Sequence, residues 1–134
     1  MRVLVLSILA LLSACDPAAI ATFDVHPQPG RLDIDSSFGL EASKLGRDFA
    51  QRHQLTSLQR TDCSSGAYYA ADTARGRQVG LNLCLTRIRN EFRFSVIEII
   101  TFYWGPKGTA LRDELADTLK ARYGNAVKAY ISRR

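Results

Sequence analysis

An α+β domain is the fold class this sequence predicts: an antiparallel meander sheet of about four strands, with an N-terminal and a C-terminal helix packed on one face. Two runs of apolar alternation predict the sheet, one over 79–85 and one from 92 to about 102. Two stretches with apolar residues three and four apart predict the helices, at about 38–53 and 109–123. The connections are short, which favours pairing of consecutive strands. The chain has 134 residues, enough for one domain, and 46% hydrophobic with 23% charged residues excludes a disordered chain.

The first fourteen residues are read apart from the fold. Arg2 and the α-amino group form a positive start, and Val3 to Leu12 is apolar except for Ser7. Ten residues at helical rise cover about 15 Å, half of a bilayer core, so the run predicts a signal peptide rather than a membrane span. It ends in Leu12-Ser13-Ala14-Cys15, an aliphatic residue and two small residues before a cysteine. That tetrapeptide resembles the lipobox of bacterial lipoproteins. The resemblance implies cleavage before Cys15, a diacylglycerol on its sulfur and acylation of the new amine. Two or three acyl chains, at about 0.8 kcal/mol per buried CH₂, hold a protein on a membrane durably. Asp16, next in the chain, resembles the inner-membrane retention signal of enteric bacteria. The expected location is therefore the envelope, facing the periplasm, with the inner membrane favoured over the outer.

Residues 15–35 are expected to be the lipidated cysteine and a tether, because Pro17, Pro27 and Pro29 fall among small residues without helical period. Arg31 to Asp35 reads as a short strand or the end of that tether. The folded domain is then 36–134. Its first helix places Phe38, Ala42, Leu45 and Phe49 on one face, with Ser36 and Ser37 as cap candidates. Leu55 to Arg60 and Ala67 to Asp72 read as strands around the turn-forming Asp62-Cys63-Ser64-Ser65-Gly66. Tyr68 and Tyr69 alternate, so one of them faces outward.

Val79, Leu81, Leu83 and Leu85 line one face of the next strand. A turn at Asn90-Glu91 would pair Phe92 with Arg89 and Phe94 with Arg87, bringing rings and guanidinium groups together. In the following strand Glu98 falls on the apolar face of Phe94, Val96 and Ile100. A buried carboxylate is costly, so a β-bulge near Ile97 is expected to turn Glu98 outward; the alternative is a partly buried Glu98 paired with an arginine in a functional cleft. Gly105 to Gly108 reads as a turn, and Thr109 as the cap of the second helix, whose stripe is Leu111, Leu115, Leu119 and Tyr123. Ala126 to Ile131 is a possible closing strand.

Cys63 and Cys84 remain once Cys15 carries lipid, and an oxidising compartment predicts a disulfide between them. Its loop of about 22 residues would contribute roughly 3 kcal/mol. The net charge of +5 is spread along the chain without a dense basic stripe, which argues against nucleic acid as a partner. The Arg133-Arg134 terminus suits weak attraction to anionic headgroups.

Catalysis finds little material. His26 lies in the expected tether, His53 at a helix end, and Ser64 and Ser65 in a turn that lacks G-x-S-x-G. No cysteine–histidine cluster suggests a metal, and no cofactor is implied. Two surfaces are candidates for binding: Tyr103, Trp104 and Lys107 around a proline turn, and Arg87, Arg89 and Arg93 around the hairpin tip. The expected function is a lipid-anchored periplasmic protein-binding module, an adaptor, assembly factor or immunity-type inhibitor, and not an enzyme. Its partners would be the membrane, through Cys15, and another envelope protein. The alternatives are an envelope enzyme acting on peptidoglycan or lipid, needing His53, Glu98 or a serine in a concave pocket, and a structural envelope lipoprotein.

Overall fold

The leucine alternation at 79–85 sets the middle of the sheet in a computed structural model of the chain. The structure describes residues 18–26, 37–58, 66–72, 78–86, 91–99 and 103–132. Six strands, β1 (Ala18–Val25), β2 (Thr56–Leu58), β3 (Gly66–Asp72), β4 (Gln78–Thr86), β5 (Glu91–Ile99) and β6 (Val127–Ile131), form one antiparallel sheet. Helix α1 (Ser37–Arg52) follows β1, and α2 (Pro106–Tyr123) follows β5. The sheet order is β2-β3-β4-β5-β1-β6. The meander β2 to β5 is as expected, but the sheet has six strands rather than four.

The largest correction concerns the tether. Residues 18–25 are not a spacer: β1 lies inside the sheet, bonded to β5 on one side and β6 on the other. Ala19, Ala21, Phe23 and Val25 alternate into the core. The prolines at 17 and 27 bracket this strand rather than extend through it. Its signal was weak because two of its four inward residues are alanines, which have low strand propensity. Arg31 to Asp35 lies outside the described residues.

Both helices cover the face that carries Val79, Leu81, Leu83, Leu85, Phe92, Phe94 and Val96. Four phenylalanines, Phe23, Phe49, Phe92 and Phe94, are fully buried there. Each contributes about 1.5–3 kcal/mol relative to leaving it in water. The helical stripes are as the spacing predicted: Ala42 and Phe49 from α1, and Leu111, Leu115 and Leu119 from α2. The helices run antiparallel and, among the described residues, touch near both ends. Phe38 packs edge-on against Tyr123, with ring centroids 5.7 Å apart. Glu41 pairs with Arg122. His53 Nε2 lies 2.8 Å from Glu114 Oε2. No helix among the described residues is long and apolar enough to cross a membrane.

The hairpin β4–β5 differs in register from expectation. Phe92 faces Leu85 and Phe94 faces Leu83, so the two strands are joined through residues 87–90. The rings of Phe92 and Phe94 are buried against each other, 5.0 Å apart, instead of meeting arginines at the tip. The wider loop lets the whole leucine face meet the phenylalanine face, which a two-residue turn would have displaced.

The opposite face of the sheet carries no described helix. Tyr68, on β3, turns onto this face while Tyr69 packs toward the core. Tyr68 also lies over Gly80, where a Cβ would come within 2.6 Å of the ring. Ile20 of β1, Ile97 of β5 and Gly80 of β4 are consecutive partners across this face.

Candidate functional site

Glu98 organises the most built-up feature of the molecule. The pairing of β5 with both β1 and β4 continues unbroken from 92 to 99, so the expected bulge near Ile97 is absent and Glu98 points into the protein. It is 2% exposed. Its cost is offset by the start of α2, because Gly105 N–H donates to Glu98 Oε2 at 2.7 Å. The carboxylate thus sits at the positive end of a helix, where backbone donors and the macrodipole favour negative charge. Glu98 is on a neighbouring strand and does the work normally given to a capping side chain.

This explains why α2 begins three residues before the expected Thr109. Gly105 is the N-cap and Pro106 the first helical residue, where the missing N–H costs nothing. A side chain at Gly105 would put a Cβ 2.6 Å from Glu98 Oε1, and one at Gly108 would collide with Glu98 Oε2. The two glycines are the space into which the carboxylate fits.

Trp104 closes the turn above this buried charge. Its ring packs against the core and stands over Gly108, whose Cβ would lie 3.0 Å from Trp104 Cε3. The Arg112 guanidinium lies 5.3 Å from the ring centroid. Trp104 Nε1–H donates to Ser132 O at 3.4 Å, which ties the turn to the chain beyond β6. Tyr103 is 72% exposed and Lys107 is exposed beside it. Trp104 is therefore both part of the packing and part of a rigid projecting turn.

Arg93 does not join this surface. It lies near the start of β5, about 17 Å along the strand from Glu98. Its Nε and Nη2 donate to the two oxygens of Asp24 at 2.7 and 2.9 Å, and Nη2 also reaches Glu91 Oε1 at 3.2 Å. His26 Nε2 lies 3.3 Å from Glu91 Oε2. The bond to Asp24 raises the Arg93 pKa above its usual value against the opposing effect of burial. Arg93 is a structural member of an ion cluster on the open face, not a free cation at a hairpin tip. Arg87 and Arg89 lie outside the described residues.

Cys84 is disulfide-bonded. Cys63 lies outside the described residues, but Gly66, three positions later, is the cross-strand partner of Cys84. Reach favours Cys63 over Cys15, which precedes the other end of β1. Ser64 and Ser65 also lie outside the described residues.

His53 is partly buried at the end of α1, stacked on Phe49 with centroids 4.5 Å apart and paired with Glu114 of α2. A cavity of about 150 Å³ opens between α1 and the β3 side of the sheet, with Arg47 and Ser43 at its rim and Tyr69, Leu83 and Phe92 among its lining. Pockets for small molecules are usually about 300–1,000 Å³, so this one suits at most a small group. Neither His53 nor Glu98 lines it. Among the described residues, no three His, Cys, Asp or Glu gather as metal ligands.

The sequence pattern points to Tyr103, Trp104 and Lys107 but not to the carboxylate that supports them. The available signal was the pair Gly105 and Gly108 flanking a proline, seven and ten residues after the misplaced acid. No family model, no curated protein and no solved structure matches the chain.

Proposed function

We propose that this chain is a lipoprotein of the bacterial envelope, anchored through Cys15 and facing the periplasm, that works by binding another envelope protein rather than by catalysis. Asp16 favours the inner membrane. The observation that supports binding over chemistry is the use made of the ionisable groups. Both histidines face carboxylates, His26 with Glu91 and His53 with Glu114. Of the buried acids, Glu98 holds a helix start, and Asp24 and Glu91 hold Arg93. Groups that acid–base or nucleophilic chemistry would leave facing substrate instead join one element to another.

The test is photocrosslinking in cells on the lipidated protein, with a photoreactive residue at Tyr130 on the open face or at Leu40 on α1, both exposed. One dominant captured protein, the same in repeated preparations and lost on competition with unlabelled domain, is the expected result. Turnover of peptidoglycan fragments or phospholipid by the purified protein, abolished by His53→Ala, would overturn it in favour of an enzyme.

A further inference from the structure

The position of β1 changes what a lipid on Cys15 would mean. Only Asp16 and Pro17 separate Cys15 from Ala18, the first residue of β1. Three peptide steps reach about 11 Å at most. The glycerol of a lipidated cysteine lies where acyl chains meet headgroups, and the headgroup layer is itself about 5–8 Å thick. A domain tied this closely cannot stand away from the bilayer. The end of the sheet at Ala18 must lie against or within the headgroups.

The aromatic turn is at that end. Ala18 pairs with Ile99, and Ala19 with Glu98, whose carboxylate holds Gly105. Ser132 N–H donates to Ile20 O, and Trp104 Nε1–H donates to Ser132 O. Ala18, Ile20, Ser132 and Trp104 are thus linked by short steps of backbone and hydrogen bonding. The chemistry presented there is interfacial. Tyr103 is well exposed, Trp104 half-buried, and Ile20 and Ile131 exposed. Lys107 is exposed and Arg112, itself paired with Asp113, backs the indole, while the sequence runs on from Ser132 into Arg133 and Arg134. Aromatic rings with a polar edge favour the headgroup level of a membrane. Each basic residue near an anionic surface adds attraction that falls off within a Debye length.

We propose that the Tyr103–Lys107 turn is a membrane-docking element: it seats the anchored domain on an anionic bilayer surface and fixes its orientation. The proposal rests on the reading that Cys15 is lipidated. Docking would direct the hairpin end of the sheet, with Asp24 and Arg93, away from the membrane toward other envelope components. Glu98 serves this element indirectly, by holding the backbone of the turn so that little ordering remains to be done on contact.

The chain has one tryptophan, so Trp104 reports on its own surroundings. The experiment uses the full-length lipidated protein in phosphatidylcholine vesicles containing phosphatidylglycerol, with lipids brominated near the headgroup as quenchers. Mass spectrometry of the N-terminal peptide and flotation of the vesicles first establish lipidation. The expected result is loss of Trp104 emission with brominated lipid and reduced quenching by aqueous iodide. The doubly substituted variant Tyr103→Ser, Lys107→Glu changes two exposed residues, so its fold should persist. It should still float with vesicles yet lose much of the lipid quenching. A lipidated, floating protein whose Trp104 is untouched by brominated lipid would overturn docking while leaving the anchor intact. Shielding that appears only with an added envelope protein extract would also overturn it and assign the turn to a protein. An unmodified Cys15 would remove the anchor and the docking proposal together.

Discussion

Asp24 and Glu98 are both 2% exposed and lie on neighbouring strands, yet their negative charges are met in opposite ways. At the hairpin end, Asp24 faces the open side of the sheet and is met by the Arg93 guanidinium in a two-pronged pair. At the Ala18 end, Glu98 faces the helices and is met by a backbone N–H at the start of α2. Among the described residues no ion pair involves Glu98. The first arrangement joins two strands that the sheet already holds together. The second joins the sheet to a helix and fixes the conformation of an exposed turn. A cation can be exchanged or screened at modest cost, but a backbone donor inside a helix start has no substitute. The two ends should therefore respond differently to the same kind of damage.

Glu98→Ala is the most severe test. It leaves the Gly105 N–H without its acceptor and opens a cavity under Trp104, so a loss of about 4 kcal/mol is expected in urea unfolding. Gly108→Ala should reproduce part of that loss, about 1–3 kcal/mol, by forcing the carboxylate aside. Opening the disulfide at Cys84 is of similar size, about 3 kcal/mol if the loop is the expected one of about 22 residues. It can be read by unfolding with and without reductant. Asp24→Asn should cost less, about 2 kcal/mol, because Arg93 keeps Glu91 and is partly reached by water. If Asp24→Asn proved worse than Glu98→Ala, the contrast between the two ends would be reversed.

Tyr123→Phe should have the smallest effect. Among the described residues the Tyr123 hydroxyl is buried without a hydrogen-bond partner, so its removal should be neutral or stabilising by up to about 1 kcal/mol. The pH dependence sharpens this. Burial raises the Tyr123 pKa, with Arg122 opposing. The folded state thus holds its proton more tightly than the unfolded chain. That contribution is fully present below the unfolded value, about 10, and is lost as pH rises through the raised folded value. Wild type should lose stability over this alkaline window, and Tyr123→Phe should lose less, as followed by urea midpoints at successive pH values.

The elements readable in the sequence share a property: large apolar residues recur along their inward faces at the spacing of the element. The stripes Leu111-Leu115-Leu119 and Phe38-Ala42-Phe49, and the leucines of β4, declare both their element and their inward side. β1 does not, since Ala19 and Ala21 are as compatible with a linker as with a core strand lying beside a helix. The hairpin register was unreadable because alternation gives a strand its face but not its partner. Glu98 is not legible as buried because a carboxylate on an apolar face is unfavourable until a donor meets it. That donor is a backbone group from an element seven residues on, which no pattern of side chains announces. In the candidate site, the sequence shows the aromatic and basic residues at 103–107 but not the Glu98 carboxylate beneath them, nor the pairing of Arg93 with Asp24. Asp24 stands in the segment that reads as a tether.

The central claim is that residues 18–25 form an inner strand, the premise on which the proposed docking of the aromatic turn depends. Amide hydrogen exchange on the full-length protein tests this most directly. Slow exchange from Ala21 to Val25, matching that of the leucines in β4 and lost only on global unfolding, is the expected result. Exchange there as fast as in an unprotected linker would contradict it and restore a tether ahead of the fold.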